Sequence, residues 1–147
     1  VAACLQRCPN YQQVFPRLRF YGVSCGAFVA SVMASDCDML SMMPDMISWT
    51  ARNRGRLWGM IGAYSASITG IVRSMFSDRS KFELARERLG IGVTSFNPSP
   101  EHVAVSSFED VEELVTTLLG SCYIPVAFEE PQWSPKLGPL WDGGILE

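Results

Sequence analysis

Two short stretches carry residue types that could perform acyl transfer. The first is Gly22-Val23-Ser24-Cys25-Gly26, a G-x-S-x-G pentapeptide. An aromatic, strand-like segment, Arg19–Val23, enters it, and an apolar helix-forming run, Cys25–Ala34, leaves it. That context is what a nucleophile elbow needs, a tight strand-to-helix turn with a serine held in a strained conformation at its tip. Glycines two before and two after the serine, Gly22 and Gly26, would relieve crowding where strand and helix meet. The free N–H groups and positive dipole end of a helix starting at Cys25 would face negative charge developing at Ser24. The second stretch is Asp142-Gly143-Gly144, after Leu140-Trp141. It places a carboxylate at a strand end, and its glycines permit a sharp turn or a close backbone approach; alone, it also reads as an ordinary turn.

A serine hydroxyl is a weak nucleophile until a base takes its proton. His102 is the only histidine, and Ser24, Asp78 and His102 fall in a formally acceptable triad order. However, His102 is expected at the turn end of a hairpin, in a sequence (SPEHVAV) without a glycine to bring a ligand close, as an exposed strand-end residue. Lys81 falls on a charged helix and Lys136 in a proline-rich loop, and no motif ties either to Ser24. Asp142 is the better candidate partner.

The elements that must position these residues can be read in order. Val1–Cys8 is a short apolar helix ended by Pro9-Asn10, and Tyr11–Leu18 continues it irregularly. After the elbow, Asp36 or Asp38 caps a helix within Asp36–Arg54, with a restart at Pro44-Asp45. Met39, Met42, Met43, Met46, Ile47 and Trp49 crowd this segment. They read as core packing, or alternatively as the pliant wall of an acyl-chain pocket. Gly55 separates it from a helix over Leu57–Phe76, and Ser77-Asp78 caps a solvated charged helix, Arg79–Arg88. Leu89–Phe96 and His102–Ser107 alternate as a β-hairpin around Asn97-Pro98-Ser99-Pro100. A helix follows over Val111–Leu119, stopped by Gly120, then an extended Cys122–Phe128 and a proline-rich loop, Glu129–Pro139, holding Trp133. Strands alternating with helices predict an α/β layered sheet.

Composition bounds the rest. The chain has 147 residues, the size of one domain, and is 48% hydrophobic and 18% charged. That apolar balance predicts a substantial core or a lipid-facing surface. The net charge of -3 and the lack of a Lys/Arg-rich block exclude a nucleic-acid partner. The uncharged runs Phe20–Ser35 and Leu57–Val72 are shorter than the roughly 20 apolar residues of a spanning helix. They are expected to be buried, with Leu57–Val72 also suited to an interfacial helix. The five cysteines, Cys4, Cys8, Cys25, Cys37 and Cys122, lack C-x-x-C spacing and have one histidine to join them. No metal site or cofactor is expected, and reduced thiols fit an intracellular setting. No signal peptide is read at the start, and the abrupt opening on Val1 and ending on Glu147 read as a piece of a longer protein.

Together these stretches resemble the patatin-like phospholipase family, and within it the adipose triglyceride lipase-like branch. Gly22-Val23-Ser24-Cys25-Gly26-Ala27 is similar to the family's elbow, usually G-x-S-A-G-A, and Asp142-Gly143-Gly144 to its D-G-[GA] motif. Arg88-Leu89-Gly90-Ile91, Phe108 and Tyr123-Ile124-Pro125-Val126 fall between them in the family's order. The resemblance implies a patatin-like layered sheet with helices on both faces, incomplete at the N-terminus, so that residues 1–147 form a partial acyl hydrolase domain. It implies a Ser–Asp dyad: Ser24 attacks the ester carbonyl of an acyl lipid, and Asp142 accepts its proton and later activates water. Gly22, Cys25 and Gly26 would form the elbow and one side of the oxyanion site, with Gly143 and Gly144 supporting Asp142. The expected partners are an acyl lipid substrate and a membrane or lipid-droplet surface, in the cytoplasm or peripheral to that surface.

The sequence departs from the family in two places. Cys25 replaces the usual alanine, which leaves an oxidisable thiol beside Ser24. Nothing in Val1–Leu18 resembles the glycine-rich oxyanion loop that the family carries upstream of its elbow. A lost oxyanion donor lowers the rate on the order of 10²–10³-fold. The chain by itself is therefore expected to be weakly active or inactive. The alternatives are a catalytically incomplete patatin-like module that binds lipid or a partner, and a thioesterase or peptidase that shares the elbow.

Overall fold

The computed structural model describes residues 2–53, 63–125 and 131–146. The chain enters through two short helices, α1 (Ala2–Gln6) and α2 (Tyr11–Val14), and a 3-10 turn at Phe15–Arg17. Strand β1 (Phe20–Val23) and helix α3 (Cys25–Ala34) follow, with only Ser24 between them. Helices α4 (Met39–Asn53), α5 (Ala63–Met75) and α6 (Arg79–Arg88) lead to the hairpin β2 (Leu89–Phe96) and β3 (Pro100–Val105). Helix α7 (Val111–Ser121), strands β4 (Gln132–Ser134) and β5 (Gly138–Asp142), and a 3-10 turn at Gly143–Ile145 complete the chain.

The architecture is α/β with a mixed five-stranded sheet ordered β1-β2-β5-β4, with β3 also paired to β2. Strand β2 is the centre. It pairs parallel with β1, from Phe20↔Leu89 to Val23↔Gly92. It pairs antiparallel with β3, from Ile91↔Val105 to Phe96↔Pro100, and antiparallel with β5, from Val93↔Asp142 to Ser95↔Leu140. Since β3 takes one edge of β2, β1 and β5 share the other edge, end to end.

Strand faces alternate with period two. Ile91 and Val93 on one face of β2 are fully buried, as are Ala27, Val32 and Ala34 of α3 and Leu114 and Leu118 of α7. Both helices lie on that face: α3 meets β1 at Gly22, and α7 meets β5 where Gly120 sits against Leu140. The other face carries Tyr21, Gly90, Gly92, Thr94 and His102, and Tyr21 is 63% exposed. Inside α3, the Ser31 hydroxyl donates to Ala27 O and the Ser35 hydroxyl to Ser31 O, which satisfies polar groups that burial would otherwise strand.

Several boundaries differ from the sequence reading. Helix α4 runs through Pro44 without a restart, and Asp38 rather than Asp36 caps it, its carboxylate accepting from Leu40 N. Asp36 instead takes a left-handed φ of 53° that turns the chain out of α3. Gly120 does not stop α7, which continues to Ser121; a Cβ at 120 would lie 2.6 Å from the Leu140 side chain, so that glycine serves packing. Trp133 lies on strand β4 rather than in a loop. Helix α6 is charged outside but buries Phe82 and Ala85. Of the methionine-rich segment, Met39 is buried, whereas Met43 and Ile47 are exposed. Gly55, the start of the Leu57–Phe76 helix and residues 126–128 of the Cys122–Phe128 segment lie outside the described residues.

Candidate active site

The corner at Ser24 has the backbone that the pentapeptide predicts. Ser24 has φ 53° and ψ −130°, a conformation rare for a residue with a side chain. Holding it there costs on the order of 1–3 kcal/mol and needs surroundings that over-determine it. Three contacts do so. Ser24 O accepts from Ala27 N at 2.9 Å, which closes the first turn of α3. Ser24 N donates to the Ser121 hydroxyl at 2.9 Å. Gly22 packs so tightly on the helix that a Cβ there would overlap Gly26 C and O and lie 2.6 Å from Ala27 N. The crowding is one-sided. A Cβ at Gly26 would meet nothing within 4 Å, so space does not require Gly26 to be glycine. Ser24 is half-buried, and Cys25 and Gly26 are exposed. At the start of α3 the N–H groups of Cys25 and Gly26, ahead of Ala27, have no acceptor within the helix.

Asp142 is held as firmly. Its N–H donates to Tyr123 O at 2.9 Å, its carbonyl accepts from the Thr94 hydroxyl at 2.9 Å, and Oδ1 accepts from Gly144 N at 2.9 Å. It is 8% exposed. The register brings the end of its strand to the end of β1. Strand β1 runs with β2 and ends with Val23 opposite Gly92; β5 runs against β2 and ends with Asp142 opposite Val93. The two C-terminal ends therefore meet head to head on adjacent residues of one edge. The junction is tight. A Cβ at Gly143 would overlap the Gly92 carbonyl and lie 2.8 Å from Val23 Cγ1, so only glycine lets the turn after Asp142 settle against the end of β1. Gly144 contributes its N–H to the Asp142 carboxylate.

His102 is exposed, as expected, but lies within β3 rather than at a strand end. It pairs with Thr94 in the body of β3, its ring lies over Gly92, and its Nδ1 is 3.2 Å from Gly143 O. No glycine flanks His102 in the chain, but Gly92 on the neighbouring strand lies under its ring. Lys136 is bound to Glu109 at 2.7 Å and Glu113 at 2.8 Å, and those carboxylates push its pKa up, so it stays protonated and cannot act as a base. Ser121 carried no signal in the sequence, yet its hydroxyl, donating to Gly92 O at 2.6 Å, joins α3, α7 and β2 at the site. Among the described residues, no cluster of His, Cys, Asp and Glu could hold a metal ion.

Cys122 lies beneath this site. Burial, with smaller contributions from Cys25 and Asp142, pushes its thiol up to about 12. Only the thiolate reacts with alkylating agents. Brief iodoacetamide treatment at pH 8 is therefore expected to modify the exposed Cys4, Cys8 and Cys25 and to spare the buried Cys37 and Cys122. Peptide mass mapping reads the pattern, and early modification of Cys122 would contradict this packing.

The fold is thus an α/β protein with a serine on a positive-φ strand-to-helix corner and a buried carboxylate, Asp142, at the end of a strand on the same edge of β2. The patatin-like phospholipase family model matches residues 2–147, and the chain belongs to that family. Membership places it among lipid acyl hydrolases. A comparison with curated proteins finds no match.

Proposed function

We propose that the chain is the catalytic part of a serine lipid acyl hydrolase that works through a Ser24–Asp142 dyad. The observation that supports this is the head-to-head meeting of β1, which leads into Ser24, and β5, which ends at Asp142, on Gly92 and Val93. Asp142 Oδ1 is engaged by Gly144 N, and the other carboxylate oxygen takes the proton of Ser24. The Ser24 oxygen attacks the ester carbonyl, and the N–H groups of Cys25 and Gly26 stabilise the oxyanion. The intermediate collapses to an acyl-Ser24 ester, and the alcohol leaves with the proton held by Asp142. Asp142 then deprotonates water, which attacks the acyl-enzyme; the fatty acid leaves and the proton returns to Ser24.

The finer reading is an adipose triglyceride lipase-like enzyme acting on triacylglycerol or phospholipid at a membrane or lipid-droplet surface inside the cell. No helix among the described residues is long and apolar enough to cross a membrane. Leu40, Met43 and Ile47, spaced along α4, are exposed, and Val29 on α3 is exposed as well, which suits contact with a lipid surface.

A fluorophosphonate probe tests the nucleophile. The intact protein should be labelled at Ser24, and Ser24→Ala should abolish labelling; labelling that survives would move the nucleophile elsewhere. A protein that neither labels nor hydrolyses esters, yet binds lipid vesicles, would be the non-catalytic module. Triolein emulsions compared with phosphatidylcholine vesicles separate the two substrate classes.

A further inference from the structure

The Ser121 hydroxyl bonds the candidate nucleophile's own backbone. Ser121 is the last residue of α7 and has 0% exposure. Its hydroxyl accepts from Ser24 N at 2.9 Å and donates to Gly92 O at 2.6 Å. Both its proton and a lone pair are used, so the bridge has a fixed direction: Ser24 N–H to Ser121 to Gly92 carbonyl. Gly92 is where β1 and β5 converge, since it pairs with Val23, adjoins Val93 opposite Asp142 and packs against Gly143.

We propose that Ser121 is a positioning residue for the acyl-transfer reaction, fixing Ser24 to β2, the strand against which β5 and its Asp142 are paired. This rests on the Ser24–Asp142 reading above. A left-handed Ser24 is free to relax unless its amide is held, and the relaxation turns the Cα–Cβ bond and swings the hydroxyl away from the carboxylate. Capture of the Ser24 N–H also prevents that amide from competing for the carboxylate or the oxyanion, and leaves the Cys25 and Gly26 N–H groups as the local donors. Ser121 touches neither substrate nor the reacting oxygen; it acts through the Ser24 backbone.

The test uses Ser121→Ala, Ser121→Cys and Ser121→Thr in the intact protein. Fluorophosphonate labelling rate and kcat and KM on a short-chain p-nitrophenyl ester are measured well below each variant's Tm. A misplaced reacting group loses on the order of 10²-fold per ångström. Ser121→Ala should therefore lower the labelling rate and kcat at least about tenfold, with KM within about twofold. Ser121→Cys, close in volume but a weak hydrogen-bonding group, should also lose several-fold if the alanine variant does not fold. Ser121→Thr, which keeps the hydroxyl, should recover most of the rate. Unchanged labelling in a folded Ala or Cys variant overturns the proposal, as does a Thr variant that folds but recovers nothing. If Ser24→Ala still turns over, the dyad itself has failed. If Ser24→Ala is dead and Ser121→Ala is normal, only the positioning role has failed.

Discussion

Asp142→Asn is expected to lower kcat by about 10³-fold while leaving Tm within a few degrees of the parent protein. The rate estimate follows from the contribution of a positioned general base, on the order of 10²–10⁴-fold. The stability estimate follows from how Asp142 is held. Its amide donates to Tyr123 O and its carbonyl accepts from Thr94, and neither bond involves the carboxylate. The carboxylate's hydrogen bond from Gly144 N to Oδ1 can be kept by the amide oxygen of asparagine. What asparagine cannot do is take the Ser24 proton. Steady-state turnover and fluorophosphonate labelling, read beside a thermal melt, check this. Undiminished turnover would transfer the base role to another group. His102, with Nδ1 3.2 Å from Gly143 O, is then the residue to replace next.

The site was legible in the sequence where local chemistry dictates local shape. Glycine, serine and glycine between an aromatic strand and an apolar helix imply one backbone solution, and Ser24 adopts it. Asp142-Gly143-Gly144 was legible as a carboxylate followed by a permissive turn, and Gly143 proves to need that permission. Strand β2 and helices α3 and α6 kept their expected bounds, because capping residues, apolar runs and alternation agree there.

The illegible parts depend on contacts between segments distant in the chain. Gly120 looks like a helix stop, but its role is set by Leu140 on β5. His102 looked remote because its glycine neighbour, Gly92, is on another strand. Ser121 is an unremarkable serine after a glycine, and only the packing of α7 beside α3 and β2 gives its hydroxyl two partners. Pro44 within α4 is a different case: local propensity argues for a break, yet the helix continues. The antiparallel entry of β5 beside the parallel β1 could not be read from alternating elements, and it is the feature that brings the end of β5, at Asp142, to the end of β1.

Gly22→Ala and Gly26→Ala are expected to have opposite effects, although the two glycines are symmetric about Ser24. At Gly22 the new methyl would overlap Gly26 C and O and approach Ala27 N to 2.6 Å, and these are backbone atoms of a helix that cannot yield. Ala27 itself is fully buried, with Phe28 beside it in the core, so α3 can move away only by opening the core. Overpacking of this kind destabilises by about 3 kcal/mol, which lowers Tm by about 10 °C in a domain of this size. The relief available to the chain is to abandon the left-handed Ser24, so labelling should fall even in the molecules that remain folded. At Gly26 the methyl enters open space on a helical residue, where alanine is favoured over glycine by about 0.5–1 kcal/mol. Gly26→Ala should therefore melt at or slightly above the parent temperature. Circular-dichroism melts of the two variants side by side decide the matter. Equal losses at both positions would mean that the helix is crowded from both sides, and the one-sided packing of β1 on α3 would be wrong.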